Sequence, residues 1–365
     1  MPKYLGRSDF EHGRRQRLGV LVCNLGTPAA PTASAVRRYL AEFLSDPRVI
    51  ETPRLLWWPI LHGVILTTRP RRSAHAYAKI WQADGSPLLS LSRRLSNKLG
   101  SALGADDDDG LVVALGMRYG QPSIATALAT LIAADARRIL VLPLYPQYAA
   151  PTTAAVMDAV FAYCQRLRWV PELRFINDYY ADPRYIAALA ASVREYWAQH
   201  GRAARLLLSF HGLPRKYFLA GDPYYCQCQA TARLLCAALE VASDTCIVTF
   251  QSRVGPTRWL QPYTDVTLTE LGQTGLASVD VLCPGFAVDC LETLEEIAIQ
   301  NAARFRAAGG GELRYIPALN DRPDHVAALA AIVEDHLGQW RTAVKDDAAA
   351  RAAAALAARA DGAAH

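Results

Sequence analysis

No run of apolar residues in this 365-residue chain approaches the roughly 20 consecutive positions that a membrane-spanning helix needs. The most suggestive stretch, Leu55 to Leu66 (LLWWPILHGVIL), is well short of that. The N-terminal MPKYLGRSDFEHGRRQR is polar and basic and lacks an apolar signal core, so export is not expected and a cytoplasmic location is. No block of one charge occurs either: 39 basic and 34 acidic side chains are spread along the chain for a net charge of +5. Nucleic acid is therefore not an expected partner, whereas a small anionic ligand or a membrane surface suits the mild basic excess. G-x-G-x-x-G, the P-loop and H-E-x-x-H are all missing, which removes support for a nucleotide cofactor or zincin chemistry. The eight cysteines, without an export signal, read as thiols or metal ligands. Nothing in the sequence speaks to oligomeric state.

What is present is a large apolar fraction, 52% against 20% charged, in a chain longer than a single core usually supports, so two domains are expected. Short apolar runs ending in Gly or Pro alternate with helical patterns, the rhythm of an α/β fold with parallel sheets covered by helices. The strand candidates are Gly19 to Asn24, Leu111 to Leu115, Arg138 to Pro143, Leu206 to Phe210, Cys246 to Phe250 and Val279 to Cys283. Each runs into a turn-rich segment where an open α/β sheet presents its ligand loops. The reading places an N-terminal extension at 1–17, a first domain at 18–168, a second at 169–338 and an Ala-rich tail without function at 339–365. The Asp106 to Asp109 run reads as a solvated loop.

The two halves carry a faint repeat. VLVCNLGTP (Val20 to Pro28) resembles LLLSFHGLP (Leu206 to Pro214), which aligns Leu25 with His211. MRYGQP (Met117 to Pro122) parallels SRVGP (Ser252 to Pro256), with Arg118 against Arg253, and Pro143 with Tyr145 parallels Pro284 with Phe286. Three landmarks in one order imply two copies of a βα unit facing each other across a cleft, with Leu25 and His211 at equivalent tips.

His211 follows an apolar strand and precedes Gly212 and Pro214. A neutral imidazole there can accept a proton near pH 7 or ligate iron(II); equally, it can be a turn histidine bonded to backbone. Glu292 opens a strong helical pattern in PGFAVDCLETLEEI. With Asp289 it has the spacing of a capping box, while Glu292, Glu296 and Gln300 recur every four residues as a line of metal-attracting oxygens.

SFHGLP, GDPYYCQC, QSRVGPTRWLQPYTD and PGFAVDCLETL, in this order and together with NLGTP, MRYGQP and LYPQYAAPTT, resemble the ferrochelatase family from about Gly19 to about Leu337. The resemblance implies two Rossmann-like domains with a porphyrin cleft between them, and insertion of Fe2+ into protoporphyrin IX to give protohaem and two protons. It makes His211 and Glu292 the catalytic and iron-handling pair, with Glu296 on the metal path. Leu25, Arg118, Tyr119, Tyr145, Trp259 and Phe286 match positions against the macrocycle, Arg118 as a propionate partner or as a structural arginine. Cys290 stands where many members have histidine, which removes one proton relay. Some bacterial members hold a two-iron two-sulfur (2Fe-2S) cluster through four cysteines in a short segment, and Cys226, Cys228, Cys236 and Cys246 look similar; alternatively Cys236 and Cys246 are packed, inert thiols. Leu55 to Leu66 matches the family's apolar lip, either resting peripherally in a membrane interface through Trp57 and Trp58 or buried over the first domain. The competing functions are a chelatase for coproporphyrin or for cobalt or nickel, and a non-catalytic two-lobed binding protein.

Overall fold

The computed structural model describes all residues except 1–3, 8–10, 106–109, 243, 256, 344–347 and 364–365, so the Asp106 to Asp109 run lies outside the described residues. Eight strands form two separate four-stranded parallel sheets. In the first, β1 (Arg17–Gly26), β2 (Leu111–Tyr119), β3 (Ala136–Pro143) and β4 (Glu172–Phe175) lie in the order β2-β1-β3-β4. The second repeats it as β6-β5-β7-β8, with β5 (Leu206–His211), β6 (Cys246–Gln251), β7 (Ser278–Leu282) and β8 (Glu312–Ile316). All six expected segments form strands, because a strand buried on both faces is written as a continuous apolar run.

The two unexpected strands, β4 and β8, are the outer strands on one side of each sheet, and both begin on an exposed glutamate. Their sequences are near-duplicates, ELRF at 172–175 and ELRY at 312–315. Each is followed by a proline-initiated helix, Pro183–His200 and Pro323–Leu337. The helices are exchanged: the Pro183–His200 helix packs on the second sheet's side and Pro323–Leu337 against β3 and the first-domain helix Pro87–Ala102. The arginine of each ELR segment ties the exchange at the helix ends. Arg174 donates to the carbonyl oxygens of His336 and Leu337 at 2.9 and 3.2 Å, and Arg314 to those of His200 and Gly201 at 2.7 and 3.2 Å, cations placed where helix carbonyls are unpaired. A boundary at 168/169 thus falls ahead of the last strand of the first sheet.

Strand register also refines the internal repeat. Leu25, between the pairs Asn24↔Met117 and Gly26↔Tyr119, lies level with Arg118, whereas His211 pairs with Gln251. Met117 N–H donates to the Pro122 carbonyl at 2.6 Å and Phe250 N–H to that of Pro262 at 2.9 Å. Arg118 therefore corresponds to Gln251 and not to Arg253, and Gln121-Pro122 corresponds to Gln261-Pro262. Likewise Val22↔Leu142 and Leu208↔Leu282 set Pro143 level with Cys283, one residue before Pro284.

One apolar core runs between the sheets. Leu18, Val20 and Leu140 of the first join Leu206, Leu208 and Leu282 of the second, with the exchanged helices among them. Smaller clusters fill the outer faces, and a third lies beneath the segment that begins at Arg54. That segment is one helical run, Arg54–Ile60 continuing through a π turn at Leu61–Ile65 into Leu66–Ile80. Leu55, Leu56, Trp58, Ile60 and Val64 are exposed, Leu55 to 90%, so the segment does not lie buried over the first domain. Trp57 alone of the two tryptophans turns inward, its indole N–H donating to the Leu44 carbonyl at 2.7 Å. Among the described residues no helix is long and apolar enough to cross a membrane. Near the ends of the described chain, Leu5 bridges to Leu167, and the tail forms the helix Ala348–Ala360, from which Arg351 reaches the Gly13 carbonyl at 3.3 Å.

Candidate active site

His211 is the last residue of β5 and is half-buried. Its Nδ1 lies 2.7 Å from the Gly212 carbonyl oxygen. A neutral ring so placed carries its proton on Nδ1 and keeps the basic lone pair on Nε2. The turn after it is tight: Gly212 N–H donates to the Gln251 carbonyl at 2.8 Å. A Cβ at 212 would sit 2.7 Å from that oxygen and 3.2 Å from the Trp259 ring, so only glycine lets Trp259 lie over the turn. Trp259 is fixed in turn by its indole N–H on the Val254 carbonyl at 2.9 Å. The Phe286 ring centroid is 6.4 Å from that of His211.

Glu292 begins a π-helix, Glu292–Asn301, which winds wider than an α-helix, closes i→i+5 hydrogen bonds and is found mostly at functional sites. The expected capping box does not form. Asp289 spends its carboxylate on Thr293 Oγ1, Tyr315 Oη and Asn320 Nδ2 at 2.9, 2.6 and 2.7 Å, so the helix start is anchored to β8 and the loop beyond it. Residues four apart remain nearly aligned on this wider helix, which keeps Glu292 and Glu296 on one side. Gln300 leaves the line, because its amide bonds Glu295 instead.

Glu296 is held by the end of β6. Ser252 N–H donates to Oε1 at 2.8 Å, Ser252 Oγ donates to Oε2, and Gln251 Nε2 lies 3.4 Å from Oε2. Burial pushes the Glu296 carboxyl pKa up, against the opposing pull of the Ser252 hydrogen bonds and of His211. Gln251 is the hub: its amide donates to the Glu292 carbonyl at 2.8 Å while its oxygen accepts from Ser209 at 2.7 Å. One buried amide thus joins the β5 strand that ends in His211 to the helix that carries both glutamates.

The start of this helix meets the first domain, where Leu291 packs against the cluster of Tyr39 and Tyr77. The hydroxyls of Tyr39 and Tyr77 there have pKa values raised well above normal, chiefly by burial and further by the Glu292 charge. Cys290 is buried, and its thiol is pushed up by burial and by Glu292, to which it donates a hydrogen bond. Leu25 is half-buried at the end of β1 and packs against the cluster that includes Tyr77, Tyr119 and Leu291. Tyr145 is half-buried with a hydroxyl that has no partner.

Two of the expected ring contacts share one carboxylate partner. Arg118 is ion-paired to the buried carboxylate of Asp46, and the fully buried Tyr119 donates to the same carboxylate at 2.8 Å. Asp46 thus ties Arg118 and Tyr119 together at the end of β2. The four cysteines do not converge. Cys226 is exposed and Cys228 fully buried, as expected for positions two apart on the helix Tyr224–Leu239, whose side chains project about 200° apart. Cys236 lies a further 12 Å or so along the axis and shares a hydrogen bond with Cys246 instead. Burial also holds the Cys228 thiol protonated, the opposite of the thiolate that a cluster binds. Among the described residues no group of three or more His, Cys, Asp or Glu is placed to hold a metal ion. This arrangement does not fit a 2Fe-2S cluster.

Residues that sequence reasoning missed are Gln251, Ser252, Tyr77 and the Asp289 network. Gln251 and Ser252 carried the same signal as His211, a polar pair directly after an apolar strand.

A model of the ferrochelatase family matches residues 17–337. The chain is 54% identical to the ferrochelatase of Thioalkalivibrio sulfidiphilus over 98% of its own length and 97% of that protein's, and 53% identical to that of Azoarcus sp. over 97% of both. The chain belongs to the ferrochelatase family. Among solved structures, SirB from Bacillus subtilis with Fe3+ superposes with a TM-score of 0.53 at 13% identity, covering 91% of this chain and all of that one. The sirohydrochlorin chelatase SirB with cobalt gives 0.50 at 12% identity over 89% and 97%. At these identities the likeness is one of fold, and it agrees with the paired parallel sheets.

Proposed function

We propose that the chain inserts Fe2+ into protoporphyrin IX at the carboxyl ends of its sheet strands, with His211 and Glu292 as the catalytic pair. One observation carries the reading: Gln251 locks the His211-bearing strand to the glutamate-bearing π-helix, while Leu291 beside Glu292 packs into the first domain's cluster with Tyr39 and Tyr77. Metallation exchanges two pyrrole protons for one divalent ion. Nε2 of a neutral His211 takes one pyrrole proton, and the Glu292 carboxylate receives the other for release to solvent. Glu292 and the deeper Glu296 offer the incoming ion oxygen ligands in place of water. Ser252 and Gln251 keep the Glu296 carboxylate oriented for that hand-over. Trp259, Phe286, Tyr145 and Leu25 supply the apolar walls against which a flat ring packs, Leu25 opposite the imidazole because the two halves place these residues at equivalent strand ends.

The enzyme is cytoplasmic and meets a membrane peripherally. Exposed Leu55, Leu56, Trp58 and Ile60, followed along the same helical run by exposed Arg69, Arg71 and Arg72, match an apolar edge with cations at the headgroup level. The central test is steady-state Zn2+ or Fe2+ insertion by His211→Ala and Glu292→Gln. Each should lose at least about a hundredfold in turnover, the scale of a missing general base; near-normal rates in both would sink the assignment.

A further inference from the structure

Glu296 is tied to its own domain, but its neighbour Glu295 is tied to the other one. The Glu295 carboxylate is buried, 4% exposed, and its Oε1 lies 2.9 Å from Nζ of Lys79. Its second oxygen accepts from Gln300 one turn along the π-helix. Lys79 stands in the last turn of the helix Leu66–Ile80, two residues after Tyr77, whose hydroxyl feels the Glu292 charge. Leu291, just before the π-helix, packs into the same apolar cluster as Tyr77 and Leu66. The end of this first-domain helix therefore grips the start of the π-helix by one ion pair and one apolar contact. That helix is continuous with the exposed segment from Arg54.

A buried carboxylate without a cation is strongly disfavoured, so Glu295 holds Lys79 against it, and the Gln300 bond ties the same carboxylate to the next turn of the π-helix. We propose that Lys79 and Glu295 form a cross-domain clamp that sets where Glu292 stands relative to the ring, which makes both positioning residues for metal entry. The inference rests on the assignment of metal handling to Glu292 and Glu296. Loosening the clamp displaces the metal-side groups and leaves the His211 turn, held by Gln251 and Trp259, where it is.

The test compares Lys79→Arg, Lys79→Met and the double variant Lys79→Met with Glu295→Gln, which leaves no buried charge behind. Zn2+ insertion is followed by porphyrin fluorescence well below the melting temperature, with each substrate varied in turn. The double variant should raise KM for Zn2+ about tenfold, within the hundredfold that a misplacement of about 1 Å costs, with KM for porphyrin changed less than about twofold. Lys79→Arg should restore the Zn2+ value. Wild-type KM for Zn2+ in the double variant, or equal rises for both substrates, overturns the clamp. Glu292→Gln run alongside separates the two failures: if it inserts Zn2+ normally, the underlying assignment is wrong, and if it fails while the double variant does not, only the clamp is.

Discussion

Lowering the pH from 7.5 to 5 should cost this protein about 2 kcal/mol through a single histidine that takes no part in the proposed chemistry. His325 is fully buried on the exchanged helix Pro323–Leu337. Its Nδ1 sits 2.7 Å from the Asn320 carbonyl, Nε2 has no partner, and the Tyr185 ring lies 6.3 Å away. Burial dominates and pulls its pKa from 6.5 to about 4. The native state refuses a proton that the unfolded chain accepts, so stability is intact above 6.5 and is lost as pH falls towards 4. The full loss is about 3 kcal/mol at roughly 1.4 kcal/mol per pH unit, of which about 2 has gone by pH 5. Urea unfolding of wild type and His325→Phe at both pH values isolates it, because the variant keeps every other titrating group. The variant should lose about 2 kcal/mol less than wild type over the same interval. Equal losses in both proteins would refute the argument. The site should respond as well, since Asn320, held by His325, also donates to Asp289 at the start of the π-helix.

Glu296 titrates in the opposite sense: with its native pKa raised above the ordinary 4.5, it adds stability at low pH that is lost as pH rises through the raised value. Glu296→Gln should flatten that limb of the pH–stability curve and weaken metal insertion, and an unchanged limb would place the carboxyl in water. Replacing Leu55, Leu56 and Trp58 by serine removes side chains that are 90, 64 and 51% exposed. Co-sedimentation with anionic lipid vesicles should fall several-fold while the melting temperature holds, and undiminished binding would rule out the lip as the contact.

Much of the architecture is written locally. The six strands β1, β2, β3, β5, β6 and β7 appear as apolar runs because a strand covered on both faces has no solvent side to encode. His211 is legible for a related reason: a strand that stops on a polar residue before Gly212 presents that side chain at the sheet's edge whatever packs around it. β4 and β8 escaped notice because outer strands with one wetter face alternate charge and apolarity, although their shared ELR was plain to see. Other features belong to tertiary structure alone. The exchange of the two proline-initiated helices joins each to elements remote in sequence, and no window of sequence holds both sides of those contacts. Asp289 and Glu292 have ideal capping spacing, yet Tyr315 and Asn320 offer Asp289 better partners and the π-helix takes over. That Arg118 pairs with Asp46, 72 positions away, is likewise invisible locally. Four cysteines within 21 positions suggest one site, but helix geometry sends Cys226 outward and Cys228 inward. Chemistry-bearing residue types and their strand ends are local facts; which of them meet is settled by burial, which rewards the pairing of polar groups from remote segments over any partner nearby.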